Sequence, residues 1–229
     1  MSEYKILKIA EDFYSIEQDF VRCFLLVGEK EGLLVDTGLG GNLKEYVEEI
    51  TKLPIKVIFT HADGDHEGAA GQFEKCLMHP SEFDYYKSKN AGAVEMDPIW
   101  EGDTIDLGNY CLEVILIPGH TPGSIALLER EKRFLIGGDS IQTGSIFMFG
   151  NGRNFDAFRA SMMKLQGLRE CFDIVFASHG ELTVKPDIVE QLFVVAGKVM
   201  KRKVEGKPQI LHNRTVNCYE LDGVSFFAE

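Results

Sequence analysis

Residues 55–71 read IKVIFTHADGDHEGAAG, and the fold turns on this stretch. Its first six residues have the composition of a short buried strand, rich in branched and aromatic side chains and preceded by Pro54. The strand runs directly into His61, Asp63, Asp65 and His66, four potential metal ligands within six residues. Any one of them is equally at home as a solvated loop residue or a helix N-cap, but the set is too dense for a routine turn. Burying such a group without compensation costs several kcal/mol. A divalent cation removes that cost by neutralising the carboxylates and taking the imidazole lone pairs. Gly64 is expected to fold the backbone tightly enough for the flanking side chains to face one centre.

Outward from this stretch the same arrangement recurs. His120 follows EVILIP in PGHTPGS, Asp139 follows RFLIGG, and His179 follows DIVFAS. Asp36 ends the apolar run LLVD. In each case an apolar strand empties into a loop bearing a ligand-type side chain. Strand ends of one sandwich can converge at one edge, so residues far apart in sequence can meet there.

Strands are expected through the first 38 residues, including 20–27 and LLVD. A helix at 43–53 follows, capped by Asn42 and stopped by Pro54. After a strand at 76–78 come a helix near 81–89, a loop at 90–98 and strands near 104–107 and 110–117. A hairpin covers 124–140. Asn154 caps a helix with Phe155, Phe158, Met162, Leu165 and Leu168 at helical spacing, and Pro186 opens another. A strand ending in a loop at 173–180 separates these helices, and a strand pair at 208–212 and 215–220 closes the chain. CFLLVGEKEGLLVDTG (23–38) loosely echoes SIALLEREKRFLIGGDS (124–140), as two similar layers would. Strands arriving as hairpins favour an α/β fold of four layers, an αββα sandwich, over a doubly wound parallel sheet. No linker divides the chain, so residues 1–229 are read as one domain.

Composition narrows the function. Of 229 residues, 24 are Lys or Arg and 36 are Asp or Glu, a net charge of −12. That balance disfavours nucleic acid and anionic membranes as partners. Five cysteines, with no CxxC pair, read as buried reduced thiols. The first residues lack the pattern of a signal peptide, and no apolar run reaches the roughly 18–20 residues of a membrane span. The expected location is cytoplasmic, and the expected partner is a small-molecule substrate.

THADGDHEGAAG, PGHTPGS, GGDS and SHG, in this order and spacing, resemble the metallo-β-lactamase superfamily of metal-dependent hydrolases. The resemblance implies an αββα sandwich with two divalent metal ions, zinc first. By position, His61, Asp63 and His120 would bind one ion; Asp65, His66 and His179 would bind the other; Asp139 would bridge them. Asp36 would orient a metal ligand from behind. The implied reaction is attack by a metal-bridging hydroxide on a small thioester, lactone or phosphate ester, with Asp65 as the catalytic acid for the leaving group. Arg153, the one cation of the Gly- and Phe-rich stretch 144–155, is the candidate to grip a substrate carboxylate or phosphate.

One position departs from the family pattern. The usual His-x-His-x-Asp-His has Asp63 at its third place here. A third carboxylate leaves the implied centre neutral where the usual motif leaves it positive, and it hardens the donor set toward manganese or iron. A carboxylate here resembles the flavodiiron proteins, so a non-haem di-iron oxidoreductase is the alternative. Those proteins carry a flavodoxin domain for which this chain is too short. Within the superfamily, Asp139 in place of Cys argues against a secreted β-lactamase. The charge and the lack of a long basic arm argue against a tRNA 3′ endonuclease. A glyoxalase II-like site remains, without that enzyme's additional helical domain.

Overall fold

Short runs of branched residues, broken by Gly and acidic turns, pair as hairpins from the start of the chain. The computed structural model describes residues 3–89 and 94–229, and its chain divides into two units, Met1–Val114 and Ile115–Glu229.

In the first unit, β1 (Lys5–Ala10), β2 (Phe13–Gln18), β3 (Val21–Val27) and β4 (Gly32–Val35) are successive antiparallel neighbours. Helix α1 (Leu43–Ile50) then carries the chain to β5 (Ile55–Ile58), which lies parallel to β4. A helical turn, α2 (Gly64–Glu67), precedes β6 (Lys75–Met78). A 3-10 turn at Pro80–Glu82 leads into α3 (Phe83–Lys89), and β7 (Asp97–Pro98) completes a seven-stranded sheet in the order β1 to β7. Strands β8 (Thr104–Asp106) and β9 (Cys111–Leu116) form a hairpin. Leu25, Leu34, Leu43, Val47, Val57 and Phe59 are fully buried in one core. Leu43 and Val47 reach it from one face of α1, four residues apart.

The second unit runs β10 (Ile125–Glu129), β11 (Phe134–Ile136), β12 (Ser145–Phe147), α4 (Phe155–Gly167), β13 (Ile174–Phe176), β14 (Thr183–Val184) and α5 (Ile188–Met200). It ends in β15 (Lys207–Leu211), β16 (Arg214–Leu221) and β17 (Val224–Ala228). Strands β10, β11, β13 and β14 are neighbours in one sheet, with β11 and β13 parallel. A separate four-stranded sheet has the order β12-β17-β16-β15. Phe158, Met162 and Leu165 of α4 and Val189, Leu192 and Val195 of α5 are buried with Phe226 of β17.

Several expected boundaries shift for local reasons. Helix α1 ends at Ile50 because Thr51 is extended and its hydroxyl accepts the Leu53 amide at 3.2 Å; Pro54 also disfavours a helical Leu53. Asn42 holds the N-cap position, yet its side chain donates to Glu45 instead of accepting a helix amide. Helix α5 starts at Ile188, two residues after Pro186. Part of the loop expected at 90–98 is strand β7, and residues 90–93 lie outside the described residues. The closing strand pair is a three-strand meander. Its turns at His212-Asn213 and Asp222-Gly223 have positive φ throughout, the conformation of tight hairpins.

All five cysteines are thiols, but only Cys23 and Cys76 are buried as expected. Cys111 opens β9 on its outward face, as the two-residue period of a strand requires. Burial pushes the Cys76 thiol up to about 11, with nearby Asp97 adding to the shift. Among the described residues, no helix is long and apolar enough to cross a membrane.

Candidate metal centre

Asp36 is the hub of the donor set in the first unit. It follows β4 in a left-handed conformation, φ 63°, which Asp tolerates better than most residues. Its carboxylate is buried. Oδ1 accepts the Thr60 amide at 2.7 Å, and Oδ2 accepts the Thr60 hydroxyl and the His66 Nδ1, each at 2.8 Å. The Thr60 hydroxyl has one proton, and the carboxylate takes it. Its oxygen therefore accepts from Nδ1 of His61, 3.0 Å away. This network assigns the Nδ1 proton on both imidazoles, so that in the neutral rings each Nε2 is left with a lone pair. The backbone carbonyl of His66 is held as well, by the Thr37 amide at 2.6 Å and the Thr37 hydroxyl at 3.1 Å.

The Nε2 atoms face carboxylates. His61 Nε2 stands 3.6 Å from Asp63 Oδ2, and His66 Nε2 stands 3.8 Å from Asp65 Oδ2. The two imidazole centroids are 4.1 Å apart. In the second unit, Asp139 spreads its oxygens between two histidines. Oδ2 lies 3.7 Å from His120 Nε2, and Oδ1 lies 3.1 Å from His179 Nε2. His120 Nδ1 donates to the Phe147 carbonyl at 2.9 Å. A carbonyl can only accept, so His120 Nδ1 carries a proton, and in the neutral ring Nε2 is left with the lone pair.

The donor chemistry fits a divalent metal. Separations of 3.6–3.8 Å are too long for hydrogen bonds. They approach the roughly 3.4 Å between two donors that share one ion at 2.1 Å with a tetrahedral angle. Imidazoles fixed in one tautomer beside carboxylates are the arrangement metal sites use to aim their ligands.

Gly64 does not play the part expected of it. It sits in the helical turn α2, its φ is not positive, and a Cβ there would meet nothing within 4 Å. The glycine under constraint is Gly68, where a Cβ would come within 2.3 Å of the Leu39 carbonyl carbon. Arg153 is part-buried and donates to the Asn151 carbonyl at 3.3 Å. Phe147 of the same stretch packs against the rings of Phe149, Phe227 and His212 at 5.4, 5.2 and 6.1 Å, and Phe149 lies 6.4 Å from His212. His79 caps the 3-10 turn, its Nδ1 accepting the Ser81 amide at 3.3 Å. Burial holds its pKa below the ordinary value against the raising effect of Glu82 and Glu101, consistent with a neutral acceptor ring. Sequence reading missed Thr60 and the Phe147 carbonyl. The first is signalled by a hydroxyl directly before His61; a backbone carbonyl carries no sequence signal.

A family model described as the metallo-beta-lactamase superfamily matches residues 16–179. The chain belongs to the metallo-beta-lactamase superfamily. Among relatives within this superfamily, the chain is 26% identical over 182 residues to a human protein named acyl-coenzyme A thioesterase MBLAC2. That match covers 62% of this chain and 65% of the human protein, so the chain spans just under two thirds of that relative's length. It is 27% identical over 178 residues to the hydroxyacylglutathione hydrolase GloC of Haemophilus influenzae, covering 68% of this chain and 82% of GloC. A metallo-beta-lactamase from Pontibacter korlensis superposes with a TM-score of 0.72 at 16% identity, over 85% of this chain and 99% of that one. The likeness shows the metallo-beta-lactamase fold, the α/β class expected from the sequence.

Proposed function

We propose that residues 1–229 form one hydrolase domain whose two donor sets serve a single dinuclear metal centre acting on a small thioester. The observation that carries this reading is the hydrogen-bonding pattern of the imidazoles. His61, His66 and His120 each commit Nδ1 to a fixed partner and present Nε2 for coordination. In the assignment we favour, His61, Asp63 and His120 would hold one ion and Asp65, His66 and His179 would hold the other. Asp139, whose two oxygens address two different histidines, would bridge them. Bound divalent ions would polarise the scissile carbonyl and lower the pKa of water.

The side chains supply orientation and proton handling. Asp36 and Thr60 fix the two imidazoles of the first donor set. Asp65 has the most accessible side chain of the three candidate ligand carboxylates, at 24% against 18% for Asp63 and 10% for Asp139. We assign it to pass a proton to the leaving group. Arg153 is the cation we assign to a substrate carboxylate. A thioester is the first choice because two relatives are named as acting on acyl-coenzyme A and hydroxyacylglutathione. Zinc is the first metal, and the harder donor set created by Asp63 extends the choice to manganese or iron. A cytoplasmic location completes the reading, in keeping with five thiols and no disulfide.

Asp63 also supports a second reading, a di-iron oxidoreductase. A panel of acyl thioesters, lactones and phosphodiesters separates the two. We expect thioester turnover that a chelator abolishes and added divalent metal restores. Absence of turnover in every metal form, with metal bound, would defeat the hydrolase reading. Two irons with redox-dependent colour would favour the oxidoreductase.

A further inference from the structure

Ala62 lies between two proposed ligands of one ion, His61 and Asp63, and both of its backbone polar groups are taken by charged side chains. Its amide donates to Glu82 Oε2 at 3.0 Å, and its carbonyl accepts from the Lys89 ammonium. Lys89 also donates to Glu67 Oε1 at 3.0 Å and lies over the Tyr85 ring, 4.4 Å from its centroid. Glu82 and Glu67 are both buried, at 1% and 7% exposure. Burying a carboxylate is expensive unless it is satisfied, and nothing in the catalytic assignment uses either one.

The geometry follows from the helix. Glu82, Tyr86 and Lys89 are spaced i, i+4, i+7, so the 3-10 turn and α3 place them along one face. Tyr86 is buried in that row. The Ala62 amide belongs to the peptide that starts at His61, and the Ala62 carbonyl belongs to the peptide that ends at Asp63. Holding both peptide planes fixes φ and ψ of Ala62, and with them the relative placement of the His61 and Asp63 Cα atoms from which the two side chains leave.

We propose that Glu82 and Lys89 are positioning residues that clamp Ala62 so that His61 and Asp63 are aimed at one metal ion. The proposal rests on the metal-centre reading above. It assigns the buried carboxylates a purpose: Glu82 holds the amide, and Glu67 holds the ammonium that holds the carbonyl. Hydrogen bonds to ionised groups are shorter and stronger than neutral ones, which suits a clamp.

The test compares wild type with Lys89→Met, Glu82→Ala and Glu82→Gln. Zinc affinity is read by competition with a chromophoric chelator, and coordination by the visible absorption of the cobalt-loaded protein. Hydrogen exchange at the Ala62 and Asp63 amides is followed in the metal-free protein. Removing a partner one step beyond the ligands weakens metal binding about 10- to 100-fold. We expect a loss of that order in Lys89→Met and Glu82→Ala, an altered cobalt spectrum and faster Ala62 exchange. Glu82→Gln keeps an oxygen for the amide and should stay within about threefold of wild type, also marking any failure of Glu82→Ala to fold as a separate event. Unchanged affinity and spectrum in Lys89→Met, with metal bound by wild type, would overturn the clamp alone. A wild type that binds neither zinc nor cobalt would overturn the metal-centre reading and the clamp with it.

Discussion

Asp36 carries three tasks in one side chain. It accepts left-handed backbone geometry, ties down the Thr60 amide, and sets the proton position on His66 directly and on His61 through the Thr60 hydroxyl. Asp36→Asn separates these tasks, because Asn also tolerates positive φ and keeps one oxygen for the Thr60 amide. It presents an NH₂ group where Oδ2 stood, and that group cannot accept from His66 Nδ1. The imidazole is then driven to its other tautomer, with the proton on Nε2. Zinc affinity should fall about 10- to 100-fold while the variant remains folded. Chelator competition checks this, and an affinity equal to wild type would remove Asp36 from the orienting role. At this scale the candidate donors were legible from the density of His and Asp in one short run. Their aiming was less so. Thr60 reads as an ordinary strand-end residue, and the carbonyl of Phe147 belongs to a residue whose side chain says nothing about His120.

The loop before His120 shows how elements transmit this order. Gly119 has φ 142°, and a Cβ there would come within 2.3 Å of Phe158 Cα in α4. Its carbonyl accepts the Asn154 amide at 2.8 Å, while the Ser161 hydroxyl donates to the Pro118 carbonyl at 2.7 Å. The start of α4 is thus packed directly on the loop that delivers His120. Gly119→Ala should cost about 3 kcal/mol or more, through forbidden backbone geometry and a contact that neither backbone can relieve. Gly64→Ala should be neutral or stabilising by up to about 1 kcal/mol, since its site is helical and open. Denaturant midpoints read both, and a mild effect at Gly119 equal to that at Gly64 would refute the packing argument. Element identity was legible wherever apolar spacing was regular, as in α4. Strand β17 was missed although Asp222-Gly223 is a hairpin signal, because VSFFA is short and lies against the end of the sequence. Helix ends were misjudged by two or three residues: the Thr51 hydroxyl takes the Leu53 amide where periodicity alone would extend α1, and Pro186 stands two residues before the first residue of α5.

Over the whole molecule, the net charge of −12 takes on a more particular meaning. Part of it belongs to Asp63, Asp65 and Asp139, which stand beside imidazoles instead of on a solvated surface. The fold class was legible because strands arrive as hairpins in two loosely similar runs, 23–38 and 124–140, and because the motifs come in the order of the superfamily. Substrate contacts were not legible: Arg153 is one cation in a stretch whose phenylalanines divide between ring stacking and the core, and no spacing rule distinguishes them. The central proposal is that the histidines and aspartates of the sequence motifs serve one dinuclear centre. Elemental analysis of the purified protein tests it most directly, with wild type beside His66→Ala and His120→Ala, one substitution in each unit. The account predicts two divalent ions per chain in wild type and a loss of bound metal in each variant. A wild-type chain without bound metal, or variants that retain both ions, would contradict it.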